Sequence, residues 1–128
     1  MVRVRFHELD PYGHVNHAIY LSYLEAARID LLAARGLDLL RLAAETGAQL
    51  VVVGLEVGFL APAVAGDELE VTCRVLERRR ASVWFRQEIR RGPAVLVRAR
   101  VRTATLDRDA RAAPLPAALV AALDAEAA

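Results

Sequence analysis

RFHELDPYGHVNHAIYLSYLEAARIDLLAARG, residues 5–36, sets an acidic turn, Asp10-Pro11-Tyr12-Gly13, against the start of a long apolar helix. From Ala18 to Arg35 the residues Ile19, Tyr20, Tyr23, Leu24, Ala27, Leu31 and Leu32 fall on the 3.6-residue period, and Gly36 supplies the stop. The apolar positions cover more than one stripe, which predicts a central, mostly buried helix. A helix N-terminus leaves about four N–H donors without intrahelical partners and carries roughly half a positive charge. A carboxylate beside such a site can act on a carbonyl whose oxygen the N–H groups hold.

Outward from this segment the period changes. Val2 to His7 alternates apolar and polar residues as a short strand would, and Leu37 to Thr46 reads as a second short helix before Gly47. Beyond it Val51, Val53, Leu55, Val57 and Phe59 are expected on one strand face, with Glu56 and two glycines on the other. Leu69 to Val75, Val83 to Arg90 and Val95 to Arg102 alternate in the same way. The connections Ala65-Gly66-Asp67 and Arg91-Gly92-Pro93 are short, which favours antiparallel neighbours. One apolar sheet face and one long helix predict an α+β fold, a curved antiparallel sheet of about five strands wrapped around the helix. Pro114 to Leu123 reads as a surface segment or short terminal helix.

The 128 residues form one expected domain, 1–128, with 55% hydrophobic residues and a net charge of +1. No apolar run reaches the roughly 20 residues that cross a bilayer and no leader pattern is visible, so a cytoplasmic protein without membrane contact is expected. All 17 basic residues are arginine, and 16 acidic residues balance them, so the electrostatic footprint of a nucleic-acid binder is missing. The single Cys73 lies among alternating apolar positions and reads as a packed thiol. Ser22 and Ser82, the only serines, sit in no G-x-S-x-G elbow. His7, His14 and His17 have no Cys or clustered carboxylates to complete a metal set, so no metal is expected.

On spacing alone Asp10 could start an ordinary turn, Gly13 could be a turn glycine, and Asn16 could simply cap the helix. Arg78-Arg79-Arg80 could be a solvated hairpin turn or a clamp for phosphates, which Arg's fixed fork suits. Arg98, Arg100 and Arg102 are expected to pair across strands with Glu68, Glu70 and Glu88.

Asp10-Pro11-Tyr12-Gly13-His14-Val15-Asn16-His17-Ala18-Ile19-Tyr20-Leu21, followed by Tyr23-Leu24-Glu25-Ala26-Ala27-Arg28, resembles the D-x-x-G-H-V-N-N-x-x-Y-x-x-Y-x-E-x-A-R signature of hotdog-fold acyl-CoA thioesterases of the 4-hydroxybenzoyl-CoA thioesterase type. Glu8 departs from a family position that often holds a second Asp, and His17 from one that often holds a second Asn. The resemblance implies the hotdog fold and hydrolysis of an acyl-CoA without a cofactor. It implies Asp10 as catalytic nucleophile or general base, and the backbone N–H of His17 as the group that polarises the thioester carbonyl. Gly13, Asn16 and Tyr20 would bind substrate, and Arg78, Arg79 and Arg80 would bind the nucleotide end of CoA. No hotdog dehydratase signature is present. A thioesterase for chains on acyl carrier protein and a non-catalytic acyl-CoA-binding module are the alternatives. Exposed strand edges predict a homodimer, through the strand at Val83 to Arg90 or that at Gly47 to Phe59, and the resemblance extends this to a homotetramer built as a dimer of dimers.

Overall fold

The computed structural model describes residues 1–125; the last three residues of the Ala-rich tail lie outside the described residues. The elements run β1 (Val2–Arg3), a 3-10 turn (Phe6–Glu8), α1 (His17–Ala34), α2 (Leu39–Thr46), β2 (Gln49–Phe59), β3 (Glu68–Arg78), β4 (Ser82–Arg91), β5 (Ala94–Leu106) and α3 (Ala117–Asp124). One antiparallel sheet has the order β1-β3-β4-β5-β2, and α1 packs against β3 and β4. The hotdog architecture expected from the sequence is the one observed.

Alternation explains the sheet. Leu69, Phe85, Ile89, Val97 and Val101 are wholly buried on the face toward α1, whose Leu24 and Leu32 meet them. Tight hairpins join β3 to β4 and β4 to β5, whereas the connection from β2 to β3 carries the chain from one side of the sheet to the other. That crossing segment includes Ala63, fully buried, which packs at the mouth of α1. The helix ends as its sequence dictates. Gly36, at φ +85, donates its N–H to the Ala33 carbonyl, and the buried Leu37 donates to that of Leu32, a Schellman closure.

Several expectations needed correction. The paired part of the first strand is only Val2–Arg3, because the chain tightens into a 3-10 turn that buries Glu8. In β2 the register slips between Val52 and Gly54. An extra residue there moves Val51 to the face of Gly54, Glu56 and Gly58, while Val52, Leu55, Val57 and Phe59 point toward the helix side. Of the two readings of Pro114 to Leu123, the short terminal helix is the one present, and α3 buries Leu119, Ala122 and Leu123 across the end of the sheet nearest the C-terminus of α1. The strand at Val83 to Arg90 is interior, flanked on both sides, so it offers no edge; β2 is an edge of eleven residues. Val53 and Phe59 on β2 are more than half exposed.

The arginine ladder also differs. Arg98 reaches Glu88 at 3.5 Å and Arg100 reaches Glu56 at 3.9 Å, but Glu68 pairs with Arg3. Arg102 instead lies over the Trp84 ring, 5.9 Å from its centroid, with Arg100 at 5.0 Å. Register is the reason: Arg74, Arg86 and Arg100 stand directly opposite one another across β3, β4 and β5.

Candidate active site

The loop between the 3-10 turn and α1 is closed by its own backbone. Leu9 and Val15 form an antiparallel bridge, the Asp10 N–H donates to the His14 carbonyl at 2.6 Å, and Gly13 donates to the Asp10 carbonyl at 3.1 Å. Gly13 takes φ +78 with open space around its missing Cβ, so it serves the turn conformation rather than a close approach. Inside this ring Asp10 Oδ1 accepts from the N–H groups of Tyr12 (2.9 Å) and His14 (3.1 Å). These two bonds hold the carboxylate in one orientation, and among the described residues Oδ2 accepts nothing.

Asn16 caps α1. Its Oδ1 accepts from Ala18 N–H at 3.0 Å, and its carbonyl accepts from Ile19 N–H at 2.9 Å. Of the first three N–H groups of the helix this leaves that of His17 with no acceptor among the described residues. The loop thus presents a pinned carboxylate and a free helix-terminal donor on the same short stretch of chain. The His17 side chain is exposed, and no three His, Cys, Asp or Glu side chains converge as a metal site among the described residues.

Tyr20 faces inward. It is nearly buried, its hydroxyl accepts the Ala63 N–H at 3.0 Å, and its ring lies 5.7 Å from Phe59 and 6.3 Å from Tyr23. It holds the crossing segment on the helix mouth. Around that mouth Phe6, Tyr12, Phe59 and Leu60 leave apolar surface exposed.

The arginine cluster lies at the other end. Asp10 precedes the N-terminus of α1, whereas the β3–β4 hairpin meets α3 near the C-terminus of α1, and 18 helical residues span about 27 Å. Two of the three arginines already have carboxylate partners: Arg78 holds Asp124, with Nη2 to Oδ2 at 2.7 Å, and Arg79 holds Glu77 at 3.0 Å. Arg80 alone is exposed with no side-chain partner among the described residues, while its carbonyl accepts the Leu115 N–H at 2.8 Å. A cavity of about 1090 Å³ opens mainly on the outer sheet face, among Arg74, Arg86, Arg98 and Arg100, and includes no residue of the acidic loop.

Sequence reasoning missed two buried polar groups under α1. Gln87, wholly buried, accepts from Arg28 Nη1 at 3.0 Å and donates to the Leu24 carbonyl at 2.9 Å. Burial lowers the Arg28 pKa and raises that of the nearby Cys73 to about 11, so the thiol stays protonated and inert. A glutamine in the alternating run of β4 and an arginine on a helix this apolar were the available signals.

The match to a family model described as thioesterase-like superfamily covers residues 4–123. The chain belongs to the thioesterase-like superfamily. Membership places it among thioester hydrolases. It is 32% identical over 106 residues to the acyl-CoA thioesterase YbgC of Haemophilus influenzae, covering 83% of this chain and 78% of that protein. It is also 32% identical over 84 residues to the chloroplastic acyl-acyl carrier protein thioesterase ATL3 of Arabidopsis thaliana, covering 66% of this chain but only 44% of that protein's length. The fold superposes, with a TM-score of 0.82 and 34% identity, on a thioesterase from Thermus thermophilus crystallised with coenzyme A and Zn, over 97% of this chain and 94% of that one.

Proposed function

We propose that this protein hydrolyses acyl-CoA thioesters to the free acid and CoA, with Asp10 as the catalytic carboxylate and the His17 N–H as the oxyanion donor. The observation that carries the reading is the pinned Asp10 carboxylate on the same short stretch as the His17 N–H, which has no acceptor among the described residues. As nucleophile, Asp10 would attack the thioester carbon, expel the CoA thiolate and form an anhydride that water cleaves. As general base, it would take a proton from the attacking water while the thiolate leaves. In both routes negative charge grows on the carbonyl oxygen, where a fixed N–H in a water-poor site is most effective.

The assembly follows from the edge. We infer a homodimer through β2, whose apolar edge is long and uncovered, with a dimer of dimers as the larger form. Antiparallel pairing of β2 with its copy would turn the partner around. The end of the partner sheet that carries the β3–β4 hairpin would then lie at the same end of the joined sheet as this chain's Asp10, with about three strand spacings, or 14 Å, between β2 and the partner's β4. The clamp for the CoA phosphates would therefore act in trans, chiefly through the partner subunit's Arg80, with Gly13, Asn16 and Tyr20 shaping the near side. Among the described residues no helix is long and apolar enough to cross a membrane.

Free-thiol release from a panel of acyl-CoAs by wild type and Asp10→Asn tests the reading. Loss of roughly 10²-fold or more in the variant, with acyl-CoA still bound, is expected. Turnover at wild-type speed would remove Asp10 from the mechanism, and binding without turnover in wild type would make the protein an acyl-CoA-binding module. The likeness to the Arabidopsis protein motivates a second arm with acyl carrier protein thioesters. A higher kcat/KM there would move the substrate from CoA to the carrier.

A further inference from the structure

Glu8 is the one buried carboxylate among the described residues, 4% exposed, and the chemistry assigned to Asp10 does not use it. Its Oε1 accepts the Tyr23 O–H at 2.7 Å and the Arg5 N–H at 2.9 Å, and its Oε2 faces Arg5 Nη2 at 3.3 Å. The main-chain carbonyl of Glu8 accepts the N–H of Asn16, the cap of α1, at 2.8 Å. One residue therefore grips both the first turn of α1, through its backbone, and the second, through its side chain.

We propose that Glu8 and Tyr23 are a positioning pair that sets where the Asp10 carboxylate stands relative to the His17 N–H. The inference rests on the hydrolytic reading of Asp10. Glu8 lies two residues before Asp10, at the root of the acidic loop, and Asn16 lies at the loop's other end. Among the described residues the Tyr23–Glu8 bond is the only side-chain hydrogen bond joining α1 to the segment that enters the loop. Without it, the loop keeps its internal ring of bonds but hangs on α1 by backbone contacts alone. It can then tilt as a unit, carrying Asp10 away from a carbonyl held at the helix mouth.

The electrostatics agree. Burial by itself would raise the Glu8 pKa, but the Arg5 N–H, the Tyr23 O–H and the Arg5 guanidinium together bring it below the usual carboxylate range. Burial and the adjacent carboxylate raise the Tyr23 pKa, so the phenol remains a donor throughout the working pH range. A charged acceptor with a neutral phenol as donor is a strong, directional bond.

The test uses the full chain with Tyr23→Phe, Glu8→Ala and Glu8→Gln. Tyr23→Phe removes one oxygen and fills the same volume, so it should fold; its kcat should fall about tenfold or more while KM for acyl-CoA stays within about twofold, since a displacement near 1 Å can cost up to 10²-fold. Glu8→Ala should lose at least as much kcat, and Glu8→Gln, which keeps an acceptor for the phenol, should recover most of it. Tyr23→Phe combined with Glu8→Ala should be no slower than the worse single variant. A lower Tm with wild-type kcat in Tyr23→Phe would reduce the pair to a folding contact and overturn the proposal. Asp10→Asn assayed beside them separates the failures: if that variant is fully active, it is the reading of Asp10 that falls.

Discussion

The chain contains its own control for Asp10. At residues 107–111 a second loop repeats the geometry of residues 10–14: Asp107 Oδ1 accepts from the N–H groups of Asp109 (2.9 Å) and Arg111 (3.1 Å), and the Asp107 N–H donates to the Arg111 carbonyl at 2.8 Å. Ala110, at φ +59, stands where Gly13 stands. Asp→Asn in either loop keeps an Oδ1 acceptor for both bonds and removes the charge that strengthens them, a loss on the order of 1 kcal/mol. With unfolding entropy near 2.1 cal/mol/K per residue, 128 residues give about 0.27 kcal/mol/K, so 1 kcal/mol lowers Tm by about 4 °C. Asp10→Asn and Asp107→Asn should therefore melt within a couple of degrees of each other. Only Asp10→Asn should lose hydrolysis, because α1 begins at His17, directly after the first loop, whereas the second loop runs into an extended segment before α3. Calorimetry and thiol-release rates on the two variants make the comparison. Equal loss of activity in Asp107→Asn, or none in Asp10→Asn, would refute the reasoning.

The same pair of loops yields a stability prediction. Ala110→Gly relieves a left-handed alanine and should raise Tm by about 3–4 °C, whereas Gly13→Ala should lower it by a similar amount and still fold, a shift near 1 kcal/mol each way. Arg86→Glu places a carboxylate between Arg74 and Arg100, turning two repulsive cross-strand contacts into attractive ones; thermal melts should show a gain at low salt that shrinks at 1 M salt. Leu55→Lys with Val53→Lys puts charge on the β2 edge, and sedimentation velocity should then find monomers with little activity; a fully active monomer would mean the site is complete in one chain. Arg80→Ala should raise KM with kcat intact, while Arg78→Ala should mainly lower Tm by freeing α3 from the sheet. Glu8, with its pKa held below 4.5, adds stability that is present above that pH and lost as pH falls through the folded-state value, so Tm should drop more steeply below pH 4.5 in wild type than in Glu8→Gln.

The helix, the alternating strands and the acidic loop are legible in the sequence because each follows from a local rule of period, cap or turn. What is not legible depends on pairing. The bulge in β2 moves Val51 to the outer face, and nothing in an unbroken apolar alternation marks where the extra residue falls. Composition sets the arginines of β4 and β5 against glutamates, yet register sets Arg86 against Arg74 and Arg100, and register is decided by the buried faces on the opposite side of the sheet. The run Arg78 to Arg80 reads as a hairpin and is one, but its place at the far end of α1 from Asp10 emerges only once the strand directions are known. Glu8 is visible as a departure from the family signature, while its burial against Tyr23 is not, because a glutamate in a short polar stretch ordinarily stays in water.

The two aspartate loops show where function enters such a chain. Asp-x-x-Gly and Asp-x-x-Ala build the same ring of hydrogen bonds, so the ring is a product of local sequence and carries no chemistry by itself. At Asp107 the chain leaves the ring toward an extended segment that bridges back to Leu106. At Asp10 it leaves into a helix whose cap takes the second and third N–H groups and leaves the first, so that a rigid carboxylate and a rigid donor share one foundation. The rigidity extends downward, since the loop's root at Glu8 is bound to Tyr23 and the helix mouth is braced by Tyr20 on Ala63. A catalytic group must be held as firmly as the groove that receives the substrate, and here the buried tyrosines of α1 do that holding while the exposed residues of the loop remain free to meet a ligand.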